Sequence, residues 1–218
     1  MKYLGFNNIP LWSLLGVALI FTVMPINNVL AEWNSHITLP ASMAKLDEII
    51  KQLSELMQAT LEKMVNVSDI SGLIINLIMI AGLAAFGEEL LFRSTLQQFL
   101  VKKCKNAHIG IIVTSIIFSL IHFDIYGFIP RVVLGLILGY MYFYSGSIWV
   151  PMIMHFVNNG TVVVLYYLNN IGATNVDVET FGQTSLLPLI ISIIATAAIF
   201  WFVIRNHNKE FKTENTEI

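Results

Sequence analysis

Apolar residues fall in long uninterrupted runs. No Asp, Glu, Lys or Arg occurs between Lys2 and Glu32, Asp69 and Glu88, Arg131 and Asp177, or Glu179 and Arg205. A helix needs about 20 apolar residues to cross a hydrocarbon core of about 30 Å. The pattern predicts six spans, roughly 10–31, 70–92, 107–123, 128–146, 149–170 and 184–204. β-Branched runs such as Ile190 to Ile194 show no period-two alternation, and strands cross lipid only as closed barrels. Residues 42–66 differ in kind. Leu46, Ile49, Ile50, Leu53, Leu56, Met57, Leu61 and Met64 follow helical spacing, while Lys45, Asp47, Glu48, Lys51, Glu55, Glu62 and Lys63 take the other faces. This predicts an amphipathic helix, too polar to span, that lies on the membrane or packs on the bundle. It is read as a connecting helix rather than a lid. The fold class expected is therefore all-α: a polytopic helical membrane protein of about six transmembrane helices plus one amphipathic helix.

Composition agrees. The 218 residues are 56% hydrophobic and 12% charged, about half the charge density of soluble domains. That argues against a soluble domain, a disordered chain and a nucleic-acid binder. The net charge of −2 offers no basic field for phosphate. A single cysteine, Cys104, leaves no internal disulfide and no cysteine-rich zinc site. The basic residues set orientation. Lys2, the group Lys102, Lys103 and Lys105, and the group Arg205, Lys209 and Lys212 fall on one side when six spans are threaded, and the positive-inside rule makes that side cytoplasmic. Both termini are then cytoplasmic, and Arg131 is the exception near the outer end of span four. A signal-peptidase site at Val29-Leu30-Ala31 competes for the first segment. The sole Lys2 ahead of it and the tail with Pro25, Asn27 and Asn28 favour a retained helix. The polar tail 206–218 is expected to fray.

Ionisable groups within spans cost roughly 2.5–3.5 kcal/mol each at mid-membrane, so each needs a reason. Glu88 and Glu89 are adjacent, hence 100° apart around a helix, and cannot both face one point. Glu89 and Arg93 are spaced i, i+4 for an ion pair. That leaves Glu88 without a local partner, as a general base would be; alternatively the span ends here and both carboxylates meet headgroup water. His122 closes the run from Phe118 and also reads as an interfacial histidine. His155 and Asn159 share a helix face, and both can donate to an oxyanion or simply glue helices together. Jointly, a Glu, two His and an Asn on three apolar helices fit a hydrolytic site. Glu88 would activate water, His122 would position it, and His155 and Asn159 would bind the oxyanion. The same Glu88, His122 and His155 could instead hold a divalent metal such as zinc. On this topology Glu88 and His155 lie nearer the inner side and His122 near the outer end.

At these residues the sequence resembles the CPBP (Abi) family of intramembrane proteases, which includes the type II CAAX prenyl endopeptidase and bacteriocin-immunity proteins. The Glu-Glu-x-x-x-Arg motif is matched by Glu88, Glu89 and Arg93; Phe-x-x-x-His by Phe118 and His122; His-x-x-x-Asn by His155 and Asn159. The likeness covers about residues 72–168 and includes Gly135 and Gly139, spaced for close helix packing. It implies peptide-bond hydrolysis inside the membrane, with Glu88 catalytic and Glu89, Arg93 and Phe118 supporting. Both metalloprotease and metal-free glutamate mechanisms are compatible with it. It implies a peptide or membrane-protein substrate within the bilayer of a bacterial cell. Three regions follow: 1–68 with the first span and the amphipathic helix, 69–170 as the CPBP-like catalytic core, and 171–218 with the last span and tail. Two other classes compete: a non-catalytic immunity or regulatory protein that binds a peptide in the same cavity, and an ion or proton pathway.

Overall fold

A computed structural model describes residues 4–37, 39–178, 181–183 and 185–216, with side chains through Lys209. Regular structure among the described residues is entirely helical. In chain order the helices are α1 (Leu11–Ser35), α2 (Ala44–Val65), α3 (Ile70–Cys104), α4 (Ala107–Leu120), α5 (Phe128–Ser145), α6 (Trp149–Asn170) and α7 (Leu186–Thr216). Each of the six expected spans is a helix, and α2 is the amphipathic one. By length and composition α1, α3, α5 and α7 can each cross a bilayer. Helix α4 is shorter, at 14 residues, and α6 carries His155 and Asn159. With these apolar helices the chain is an integral membrane protein.

Two boundaries move. The second span does not end at residue 92 but runs to Cys104, a helix of 35 residues and about 52 Å. Glu88 therefore lies at mid-helix, and the reading in which the span stops at the glutamates is corrected. Asp69 caps its start, its carboxylate accepting from Gly72 N at 2.8 Å. Lys102 and Lys103 occupy its last turn, where cations suit the helix dipole. Lys105 then turns the chain in the left-handed region, at φ 52°. Within α3 the winding alternates: regular turns at Ala84–Glu89 are bracketed by π-helical segments at Leu77–Leu83 and Leu90–Gln97. Such widened turns recur where a helix carries function. The second shift is in the tail, where α7 continues as helix to Thr216 instead of fraying from residue 206.

The bundle core joins α1, α5, α6 and α7 through Leu19, Ile20, Val23, Leu138, Met141, Met154 and Val203. Lipid tails are as apolar as these side chains, so small residues and close packing hold such helices together. A Cβ on Gly135 would come within 3.0 Å of Ser115 on α4. One on Gly139 would meet Gln97 Oε1 at 2.9 Å. The same Gln97 donates from Nε2 to the Gly139 carbonyl at 3.0 Å, locking α3 to α5. Gly135→Leu is accordingly expected to destabilise the bundle by about 1–3 kcal/mol or more through overpacking. The check is a lowered thermal midpoint in detergent, and an unchanged midpoint would refute the close crossing.

Hydrogen bonds between distant segments define two ends. At one, Ser94 Oγ donates to Leu4 O at 2.6 Å, Asn7 Nδ2 to Gly146 O at 2.7 Å, and His207 Nδ1 to Tyr144 O at 2.9 Å. At the other, Asn34 Nδ2 donates to Ile125 O at 2.6 Å, and Asn170 Nδ2 reaches Val65 O at 3.0 Å and Val67 O at 3.1 Å. The loop of Asp124 and Tyr126 and the first turn of α5 lie at this second end. Arg131, the exception to the charge pattern, is paired there with Asp124, Nη2 to Oδ2 at 2.9 Å.

Candidate active site

The central turn of α3 presents Glu88 and Glu89 in different directions. Glu89 is fully buried, and Arg93 one turn on is buried with it, Nε to Oε2 at 3.0 Å. The i, i+4 pairing expected from spacing is present. The other oxygen of Glu89 accepts from His155 Nδ1–H at 2.9 Å. The carboxylate can only accept, so this bond places the proton on Nδ1 and turns Nε2 away from Glu89. Nε2 lies 3.9 Å from Glu88 Oε2. The two carboxylates therefore do not meet at one point, but they address one imidazole from its two nitrogens. Glu88 is the more open of the pair, at 30% exposure. Its Oε2 is nevertheless shielded and has no hydrogen-bond partner among the described residues.

His122 follows α4 at a half-buried position. Its Nδ1–H donates to Phe118 O at 2.7 Å, which fixes the tautomer and leaves Nε2 as the lone-pair nitrogen. Phe118 is the ring around which the site is assembled. Its centroid lies 5.1 Å from the His122 ring, 6.1 Å from the His155 ring and 5.2 Å from the Arg93 guanidinium. The cation rests over the aromatic face, a favourable contact in a desolvated setting. On α6, Asn159 Oδ1 accepts from Asn158 Nδ2 at 3.1 Å, and Asn159 Nδ2 is 3.4 Å from Ile80 O. The oxygen of the Asn159 amide is thereby occupied and its NH₂ is the available end.

Glu88, Phe118, His122, His155 and Asn159 all line one cavity of about 360 Å³. The opposite depths expected for Glu88 and His122 do not hold, because both line this one cavity. Glu89 and Arg93 sit behind the wall, fully buried. Sequence reasoning missed Arg131, Asn158 and Leu61, which also line the cavity. Arg131 did leave a trace, as the one charge against the positive-inside pattern. The donors of Glu88, His122 and His155 are types that suit zinc. Among the described residues, however, no three His, Cys, Asp or Glu side chains are grouped so as to hold a metal ion. The arrangement does not form a ready ligand cage. What it offers chemically is a shielded carboxylate, two oriented imidazoles and an amide donor around one space.

Helix α2 touches this cavity through Leu61, so it is more than a connector. It is held at its start, where Tyr126 OH donates to Asp47 Oδ1 at 2.6 Å and Lys51 Nζ pairs with Asp47 Oδ2 at 2.8 Å. It is held at its end by Asn76 Nδ2 donating to Met64 O at 2.7 Å. The hydrogen bonds from Lys51 and Tyr126 hold the Asp47 carboxyl below the usual carboxylate range, and the Asp47 bond holds the Lys51 ammonium above the usual lysine range. A depressed Asp contributes above its unfolded value and loses its contribution as pH falls through the folded one. A raised Lys contributes below its unfolded value and loses it as pH rises through the folded one. The latch is therefore intact across the neutral range and opens in strong acid or strong base. Amide exchange in α2, taken relative to that of the unfolded chain at the same pH, is expected to speed up at acid pH. In Asp47→Asn it should be fast already at neutral pH, and equal protection in both proteins would refute the latch.

Comparison with known proteins bears on the central helices. The family model described as Type II CAAX prenyl endopeptidase Rce1-like matches residues 70–161, a stretch that contains all three motifs. The uncharacterized protein YpbD of Bacillus subtilis (strain 168) is 36% identical over 86 residues, 38% of this chain and 41% of YpbD. The chain thus aligns with less than half the length of that relative. No solved structure matches. Residues 70–161, which supply every wall residue named in the three motifs, are thus similar to the Rce1-like family over less than half of the chain.

Proposed function

We propose that this protein is an intramembrane endopeptidase that hydrolyses a peptide bond of a membrane-associated or lipid-modified polypeptide. The observation that carries the reading is the convergence of Glu88, His122, His155 and Asn159 on one cavity, with Glu88 Oε2 shielded and without a hydrogen-bond partner among the described residues. Glu88 accepts a proton from water as the water oxygen attacks the scissile carbonyl carbon. His122 Nε2, the free lone pair, accepts the water's second hydrogen and aims it. The carbonyl oxygen becomes an oxyanion that receives a hydrogen bond from Asn159 Nδ2 and one from protonated His155 Nε2–H. Glu89 orients that imidazole by accepting from Nδ1–H, the role a buried carboxylate plays toward a catalytic imidazole. Glu88 then passes its proton to the amine nitrogen as the carbon–nitrogen bond breaks. If the lysine-rich end faces the cytoplasm, Asp124, Arg131 and α2 lie at the opposite membrane face.

The test is direct. The purified protein in proteoliposomes is offered a library of hydrophobic peptides, prenylated and not, and cleavage is read by mass spectrometry. Cleavage that survives metal chelation and is lost in Glu88→Gln supports the reading. Absence of any cleavage, with unaltered peptide binding, turns it toward a non-catalytic binding role.

A further inference from the structure

A second cavity of about 240 Å³ abuts the first. Two side chains of α6, Asn158 and Val162, line both. The second chamber is also lined by Pro130 on α5, by α1 through Asn27 and Ala31, and by Val178 and Phe181 ahead of α7. Its volume is below the 300–1,000 Å³ of pockets that hold whole drug-sized ligands. It is room for one side chain. None of the described residues that line it is charged. It holds one conspicuous polar feature. Asn27 Oδ1 is buried and accepts no hydrogen bond among the described residues. A buried acceptor left unpaired is costly, and native structures satisfy nearly all of them.

From this juxtaposition we infer that the second cavity is a subsite for the polypeptide substrate: it seats one aliphatic side chain beside the scissile bond, and the adjoining backbone N–H donates to Asn27 Oδ1. The inference rests on the reading of the first cavity as a peptide-hydrolysing site. A peptide bound there needs room for its flanking residues, and the second cavity adjoins the first across Asn158 and Val162. An extended chain supplies a backbone donor next to every side chain, which is what Asn27 lacks. Asn158 also donates to Asn159 Oδ1 at 3.1 Å, so filling the subsite bears on the residue next to the reacting carbonyl. The recognition comes from α1, outside the segment 70–161 that the family model matches. Selectivity would thus be written in a helix separate from the one that carries the chemistry.

The experiment uses the full chain in proteoliposomes and the hydrophobic peptide library, scanned position by position around the cut. Wild type is expected to prefer Leu, Ile or Val over Ala at one position beside the scissile bond. Ala31→Phe, which fills the chamber, should erase that preference, about tenfold or more. Asn27→Leu removes the acceptor of a backbone N–H that every peptide carries, so it should slow cleavage of Leu and Ala peptides alike, and Asn27→Gln should restore part of the rate. Cleavage with an unchanged preference in Ala31→Phe and an unchanged rate in Asn27→Leu overturns the subsite while leaving the hydrolytic reading intact. If wild type cleaves nothing, a binding arm decides. Cys104 is the sole cysteine, so Asn27→Cys in a Cys104→Ser background carries one thiol, and protection of that thiol from maleimide by the same peptides retains the subsite. No protection overturns it.

Discussion

Glu88→Gln is expected to lower turnover by about 10²–10⁴-fold, the range in which a positioned general base contributes. The amide keeps the shape of the side chain and cannot take a proton. Glu88 makes no ion pair shorter than the 3.9 Å approach to His155, and its Oε2 has no hydrogen-bond partner among the described residues. The substitution therefore removes little that holds the fold, and the thermal midpoint in detergent should stay within a degree or so of wild type. His122→Ala should lose activity on a comparable scale. The Glu88→Gln/His122→Ala double variant should lose little more than either alone, because residues that act on one water fail together. Measured kcat for the three variants decides the matter. Full activity in Glu88→Gln removes Glu88 from the mechanism and with it the proposed water activation.

The charge pattern makes most of the fold legible, and its failures have a common cause. Helices are found wherever charge-free runs were long enough, and the amphipathic spacing of 42–66 corresponds to α2 at Ala44–Val65. The second span reads as too short because Glu88, Glu89 and Arg93 look like residues at a membrane surface. Inside the bundle they are tolerated: Glu89 and Arg93 neutralise each other, and Glu88 faces a cavity. Burial of charge by pairing is a tertiary event, invisible to a hydropathy window. The bond from His155 to Glu89 is of the same kind. A fully buried carboxylate has two oxygens and Arg93 serves one, so a second donor is required. That this donor is His155, 66 positions away, depends on how α6 crosses α3. Helix α2 shows the reverse limit. Leu46, Ile49, Leu53, Leu56, Met57 and Met64 form its apolar stripe yet remain exposed. The stripe predicts an interface without revealing that Leu61 alone of its apolar residues reaches the cavity lined by Glu88 and His122.

The largest effect on stability is expected at Glu89. Glu89→Ala leaves the Arg93 guanidinium buried without its counter-charge, a loss of about 3–5 kcal/mol for a buried pair broken on one side. The Phe118 ring beneath Arg93 does not replace a carboxylate. Arg93→Met should cost a similar amount by stranding Glu89. Removing both charges together, as Glu89→Leu with Arg93→Met, takes away the desolvation penalty along with the attraction. A matched apolar pair of this kind is often neutral or stabilising, so the double variant should be more stable than either single variant, a coupling readable by a double-mutant cycle on detergent unfolding. Activity should not follow stability. The double variant still leaves His155 Nδ1–H without its acceptor, and the imidazole is then no longer oriented toward the oxyanion. A double variant that regains its fold while remaining at least tenfold slow, with kcat lowered more than KM is raised, assigns Glu89 two separable roles, as counter-ion to Arg93 and as positioning residue for His155. Recovery of stability and turnover together would reduce Glu89 to a counter-ion alone.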